Sequence, residues 1–238
     1  MLLFYMRHGD PIYHPDSLTE QGREQAAALA KRLERYGIDK IYSSSSTRAI
    51  QTAEPTSQLV NKEIIPLDWC HETLTLRELG VPVDGKNRWL FLLPEYKKLL
   101  VSNEMMKLGH KWWSHPDLLK FNYQKGYERI RKNTYQFLEE LGYSFDEETG
   151  AYKVLRDNQD RVALFAHQGF GFAFLSVLLN IPYPMICTKF DLRHSSMTVI
   201  SFENEDGICV PKVLTMSNDS HIYHEGLSTK YNRSDIYF

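Results

Sequence analysis

Three cysteines are all that the 238 residues contain, and Cys70, Cys187 and Cys209 stand far apart with no C-x-x-C pair. An odd, scattered set argues against a disulfide framework or a thiolate zinc site; it reads as small buried hydrophobes in a reducing compartment. No apolar run approaches the roughly 18 residues that a membrane span needs. The apolar start, Leu2 to Met6, lacks a basic flank and is too short for a secretory h-region. Positive charge is not in excess: 28 Lys and Arg face 30 Asp and Glu, for a net charge of −2. That argues against a general nucleic-acid binder, though not against a local basic pocket. There is no internal repeat, and the run Ser43-Ser44-Ser45-Ser46 is too short to be a low-complexity linker. The expectation is a soluble cytoplasmic protein without nucleic-acid or membrane partners, its oligomeric state open. Hydrophobic residues at 42% suffice for a sizeable core.

The most informative stretch lies at the start, where Leu2-Leu3-Phe4-Tyr5-Met6 runs straight into Arg7-His8-Gly9. A short continuous apolar run bounded by Gly9 and Pro11 predicts a buried strand. Arg7 and His8 then emerge at its carboxyl end, where open α/β sheets bind ligands. An imidazole beside a guanidinium suits phosphoryl chemistry: a ring nitrogen attacks phosphorus while the fork of N–H donors holds the oxygens. Further along, Thr19 caps a helix whose apolar face carries Ala26, Leu29, Ala30 and Leu33, with Gly37 at its end. A strand over Ile38–Tyr42 meets the serine run, and Thr47 to Ala53 opens another helix. A strand, a serine turn and a helix N-terminus make an anion site, with Arg48 in the first helical turn. A short strand over Glu63–Leu67 precedes Trp69-Cys70-His71-Glu72 and Leu76-Arg77-Glu78.

From Val81 to about Tyr123 the text turns rich in Lys, Trp and His, with weaker periodicity. Tyr127, Ile130, Thr134, Phe137, Leu138 and Leu141 then mark an amphipathic helix stopped by Gly142. Arg161 to Ala166 repeats the opening logic, an apolar strand running into His167, Gln168 and Gly169. An apolar helix over Phe170–Leu179 follows, then strands over Phe190–Leu192, Met197–Phe202 and Ile208–Met216. Strands alternating with helices predict an α/β fold with a mostly parallel sheet.

Arg7-His8-Gly9, Leu18-Thr19-x-x-Gly22, Ser43-Ser44 with Arg48-Ala49-x-Gln51-Thr52-Ala53, Ala166-His167 and Asn218-Asp219-x-x-His221 occur in the order found in the histidine phosphatase superfamily, the phosphoglycerate mutase-like group. The chain resembles that family from end to end except between about Val81 and Asp160. The resemblance implies a three-layer α/β/α fold over residues 1–238 as one domain, with residues 81–150 inserted as a largely helical cap. It implies His8 as nucleophile, its other ring nitrogen donating to a carbonyl. Arg7, Arg48 and a charged His167 would surround the phosphoryl group. It implies no metal and no cofactor. A carboxylic acid must serve the leaving oxygen: Glu72, nearer the end of the third strand, is preferred, and Glu78 is the alternative.

The chain departs from the family pattern in three places. His14 stands where an asparagine is common and could donate to a phosphate oxygen. Gln168 stands where glycine is common and could offer its backbone N–H. The segment after the acid lacks the mutases' text. The implied activity is that of a metal-independent phosphomonoesterase acting through phosphohistidine on a small phosphorylated metabolite. A phosphoglycerate mutase-type phosphotransferase and a non-catalytic phospholigand-binding protein are the alternatives. Trp112 and Trp113 either pack in the interior or stack on a substrate ring.

Overall fold

The computed structural model of the chain describes residues 1–231 and 234–236. Strand β1 (Leu2–Arg7) is buried along its length, as its uninterrupted apolar run demands. The expected loop after it contains a small hairpin, β2 (Pro11–Tyr13) with β3 (Asp16–Leu18). Helix α1 (Glu20–Tyr36) begins where Thr19 accepts a hydrogen bond from Gly22 N at 3.0 Å and ends at Gly37, whose φ of 73° is left-handed. Strand β4 (Lys40–Ser44), helix α2 (Thr47–Val60) and strand β5 (Ile64–Leu67) complete the amino-terminal βα units, and α3 (Glu72–Leu79) follows a single 3₁₀ turn.

The middle of the chain holds a hairpin of β6 (Gly80–Val83) and β7 (Lys86–Trp89), then α4 (Pro94–Leu100), α5 (Asn103–Leu108) and further 3₁₀ turns. Helix α6 (Tyr123–Glu140) starts a turn earlier than its apolar pattern; it packs on α3 and α7. Strands β8 (Tyr143–Phe145) and β9 (Tyr152–Val154) lead to β10 (Arg161–Ala166), α7 (Gln168–Leu178) and α8 (Tyr183–Lys189). The chain closes with β11 (Met197–Ser201), β12 (Ile208–Cys209), β13 (Lys212–Asn218) and α9 (Ser220–His224). Among the described residues no helix is long and apolar enough to cross a membrane.

The main sheet runs β13-β11-β1-β10-β4-β5, with β1, β10, β4 and β5 parallel and β11 antiparallel to its neighbours. Alternation along β1 splits the interior. Phe4 and Met6 join Leu29, Leu33 and Ala53 beneath α1 and α2; Leu3 and Tyr5 join Ile130, Phe137, Phe170 and Phe174 beneath α6 and α7. This is the expected three-layer α/β/α arrangement. All three cysteines are buried and free. Trp112 is fully buried, its ring 4.9 Å from Tyr183 and 5.5 Å from Tyr123, so it packs the interior rather than facing a substrate.

Two predicted strands differ. Phe190–Leu192 is a loop. Its polar atoms are engaged sideways: Asp191 accepts from Leu192 N and from the Gln168 amide, and Leu192 O accepts from Arg7. Ile208–Met216 is two strands in different sheets, β12 pairing β9 and β13 pairing β11, because Pro211 between them has no N–H for a ladder.

The backbones of Gly9 and Gly22 touch. A Cβ on Gly9 would stand 2.5 Å from Gly22 O, and one on Gly22 would overlap Asp10 O. The helix α1 cap and the loop after β1 therefore lock together through bare backbone. Gly22→Ala is expected to lower the unfolding free energy by about 1–3 kcal/mol, as overpacking does, read as a lowered urea midpoint; an unchanged midpoint contradicts the contact.

Candidate active site

The parallel register Arg7↔Ala166 ends β1 and β10 at one level, and His8 N donates to Ala166 O at 3.0 Å. His8 and His167 thus leave the sheet side by side, their ring centroids 5.2 Å apart. Strand β4 pairs with β10 up to Ser43, which delivers the serine turn to the same edge. Tyr5, one layer below, fixes the backbone of His167: its hydroxyl donates to His167 O at 2.6 Å and accepts from His167 N at 3.3 Å.

His8 is 3% exposed. Its Nδ1 donates to Gly9 O at 2.7 Å; a carbonyl can only accept, so the lone pair lies on Nε2. Burial, followed by the charges of His167, Arg7, Arg48 and His194, holds His8 well below the ordinary histidine value of 6.5. Gly9 N in turn donates to Thr52 Oγ1 on α2 at 3.0 Å, which steadies the loop behind the ring.

Arg48 and Arg7 flank the two histidines. Arg48 Nη1 pairs with Asp16 Oδ1 at 2.6 Å and Nη2 donates to His167 Nδ1 at 3.1 Å. Arg7 Nη1 donates to Leu192 O at 2.7 Å and Nη2 to His194 Nε2 at 2.6 Å. Among the described residues, Arg7 Nε and Arg48 Nε are buried without a hydrogen-bond partner. Buried donors of this kind demand an acceptor.

The expected charge on His167 is not borne out. Its Nδ1 accepts from Arg48, so the ring proton sits on Nε2, which faces Ser44 Oγ at 2.8 Å and Ser46 Oγ at 3.3 Å. Burial first, then Arg48, His71 and Arg7, pushes its pKa well below 6.5. Proton uptake there would place a cation among existing cations at a fully buried position.

The two candidate acids separate. Glu72 opens α3 and aims its carboxylate at the start of α7, accepting from Gly169 N at 3.1 Å and Phe170 N at 3.0 Å. Burial raises its pKa above 4.5 against those two N–H groups and the charges of Arg48 and Arg7. Glu78 is held by Arg129, with contacts of 2.7–3.0 Å from Nε and Nη2. Another candidate lies off the cluster. His14 is exposed at the tip of the β2–β3 hairpin, where it is Tyr13 and Asp16 that reach Arg48, the guanidinium lying 5.5 Å from the Tyr13 ring centroid. The Gln168 side chain turns to Asp191 and Leu192 O.

Sequence reasoning missed His194, Asp10 and Asp16. His194 lies with its ring 5.4 Å from His8 and its Nδ1 3.4 Å from Asp10 Oδ1. The signal was topological: β11 runs antiparallel to β1 with Met197 opposite Met6, so the loop before it returns to the strand end that carries His8.

Three histidines buried neutral give a pH signature. Unfolded, each takes up a proton near pH 6.5; in the fold His8 and His167 resist it to well below that, and burial carries His221 down to about 4. Below pH 6.5 the unfolded chain then binds more protons, so stability falls with pH, by up to about 1.4 kcal/mol per unit and group. Glu72 opposes this, since its raised pKa lets the fold bind a proton first. The urea midpoint is expected to fall from pH 7 to pH 5, and less steeply in His221→Gln; a flat profile contradicts the neutral burial.

Residues 3–75 match the family model of the histidine phosphatase superfamily (branch 1). No curated protein matches the chain. Among solved structures, one titled mycobacterial hydrolase 1 is 18% identical with a TM-score of 0.60, covering 91% of this chain and 98% of its own. A phosphoserine phosphatase from Entamoeba histolytica, in complex with 3-phosphoglyceric acid, is 19% identical with a TM-score of 0.59, covering 93% and 98%. The alpha-ribazole phosphatase from Shigella flexneri is 17% identical with a TM-score of 0.57, covering 92% and 97%. At these identities the likeness is one of fold.

Proposed function

We propose, on the match of its amino-terminal third to the histidine phosphatase superfamily model, that this chain is a member of that superfamily and a metal-independent phosphomonoesterase that works through a phosphohistidine at His8. One observation carries the reading: the free lone pair of His8 Nε2 lies among two arginines whose buried Nε–H groups lack a partner. A tetrahedral dianion answers both. It supplies acceptor oxygens for Arg7 and Arg48, and its phosphorus is the electrophile that a neutral imidazole attacks. The substrate is a small phosphorylated metabolite, as the phosphatase titles of the structural relatives suggest. Three free cysteines agree with the cytoplasm as its compartment.

In the first step His8 Nε2 attacks phosphorus in line with the ester oxygen. The P–N bond forms as the P–O bond breaks, and Glu72 gives its proton to the departing oxygen. In the second, the Glu72 carboxylate takes a proton from water, whose oxygen attacks phosphorus. The P–N bond breaks, inorganic phosphate leaves, and His8 is neutral again with Glu72 reprotonated. The neutral state of His8 is what attack requires; the raised pKa of Glu72 is what an acid near neutrality requires. Arg48, tethered by Asp16, and Arg7, tethered by Leu192 O and His194, stay in place as charge moves onto the equatorial oxygens. In this reading the cap is the part of residues 81–150 that precedes α6, since α6 itself packs in the core against α3 and α7.

Replacement of His8 by Ala is expected to abolish turnover, and native protein quenched during turnover should carry acid-labile, base-stable phosphate. Turnover without such a phosphoenzyme overturns the nucleophile. Glu72→Gln is expected to cost about 10²–10⁴ in rate on alkyl phosphates and much less on p-nitrophenyl phosphate, whose leaving oxygen needs no proton. Glu78→Gln, remote on Arg129, should be near normal on both. The reverse pattern moves the acid to Glu78.

A further inference from the structure

A cavity of about 500 Å³ opens between α4, the start of α7 and the end of α8, lined by Phe91, Phe172, Phe190, Gln168, Asp191 and the lysines Lys97 and Lys98. Its link to the phosphoryl site is covalent on two sides. Gln168 follows His167 directly, and Asp191 precedes Leu192, whose carbonyl accepts from Arg7 at 2.7 Å. The cavity wall and the phosphoryl site therefore share two stretches of backbone, His167–Gln168 and Asp191–Leu192.

The walls are apolar and partly uncovered. Phe91 packs edge-on to Phe172 at 5.1 Å, while Phe190 remains 47% exposed and its neighbour across the cavity, Leu92, 57%. The charges are unevenly used. Asp191 is engaged by the Gln168 amide, by Leu192 N and by Arg193 Nη1 at 3.7 Å. Lys97 and Lys98 are exposed on α4 and make no ion pair among the described residues. A concave apolar surface with a few placed polar groups is the usual form of a small-molecule site, and about 300–1,000 Å³ its usual size. A three-carbon leaving group would leave most of this one unfilled.

We propose that this cavity takes the leaving group of the substrate, and that the preferred substrates are phosphomonoesters whose alcohol has an extended apolar body ending in a second anion. The apolar body lies against Phe91, Phe172 and Phe190, and the anion, a carboxylate or a second phosphate, meets Lys97 and Lys98. This assignment rests on the phosphomonoesterase reading. Its consequence is that binding energy remote from phosphorus selects the substrate, while Arg7 and Arg48 treat all monoesters alike.

The test uses aryl phosphates with one common phenol and a three-carbon arm ending in a carboxylate, a phosphonate, an amide or an ammonium. The arm insulates the leaving oxygen from the end group, so chemistry is matched across the series. For the full chain, kcat/KM is expected to be at least tenfold higher for the anionic arms than for the amide, and lowest for the ammonium. The ratio of carboxylate to phosphonate tells which anion the lysines prefer. Lys97→Glu/Lys98→Glu is expected to reverse the order. An order indifferent to end-group charge, or one that the double substitution does not change, overturns the proposal. Calorimetric affinities for the matching non-hydrolysable benzylphosphonates give a readout independent of turnover. If no ester releases phosphate yet the phosphonates bind in the expected order, the reaction fails and the cavity assignment stands. If esters are hydrolysed while binding ignores end-group charge, the reverse holds.

Discussion

The pairing of β1 with β10 is the constraint on which the site depends. Two buried parallel strands in fixed register stop at the same level, so the residues that follow them have to share one small volume. His8 is attached there by its own N–H to Ala166 O, and His167 by the Tyr5 hydroxyl from below. A slip of one residue would turn every side chain of β1 to the other face, exchanging Phe4 and Met6 for Leu3 and Tyr5 between the two halves of the core. The packing that forbids the slip is therefore also what aligns the histidines.

On this frame the electrostatics are one-sided. Arg7 and Arg48 bring permanent positive charge into a buried edge, and burial first, then these charges, lowers the pKa of the two histidines. The compensating carboxylates are peripheral: Asp16 holds one side of Arg48, Asp10 lies behind His194, and Glu72 sits against the first N–H groups of α7 with a raised pKa. Negative charge is thus kept off the centre, and among the described residues the buried guanidinium Nε–H groups are without acceptors. A site arranged in this way favours an entering anion over any charge already present, which is the requirement for phosphoryl transfer by positioning and charge stabilisation.

The middle of the chain serves two purposes. Helix α6 belongs to the body of the fold, laying Ile130, Phe137 and Leu138 into the core beneath the sheet, and its Arg129 holds the Glu78 carboxylate. The segment before it stays closer to the surface and contributes α4, whose lysines face the cavity next to the phosphoryl site. The Trp89 ring presses on Gly169, where a Cβ would overlap it, so the hairpin β6–β7 abuts the same end of α7 that Glu72 occupies.

The sequence by itself determined the elements whose causes are local. The apolar runs of β1 and β10, the Thr19 cap and the Gly37 stop of α1, and the amphipathic face of α6 all follow from side-chain periodicity and backbone preference among neighbours. Part of the cluster around His8 was legible too, because Arg7, Arg48 and His167 each stand at or shortly beyond the end of a legible strand, whereas His194, Asp10 and Asp16 carry no such signal. Only the tertiary structure decided what depends on partners distant in the chain. The sequence favours Glu72 over Glu78 only by its place nearer the third strand; in the fold one meets the start of α7 and the other Arg129, 51 residues away. His14 and His194 are both loop histidines. The hairpin carries the first to the surface, and the return of β11 along β1 brings the second against Arg7. The protonation of His167 was equally hidden, since burial and the approach of Arg48, 119 residues away, set it, and neither exists until the sheet has formed.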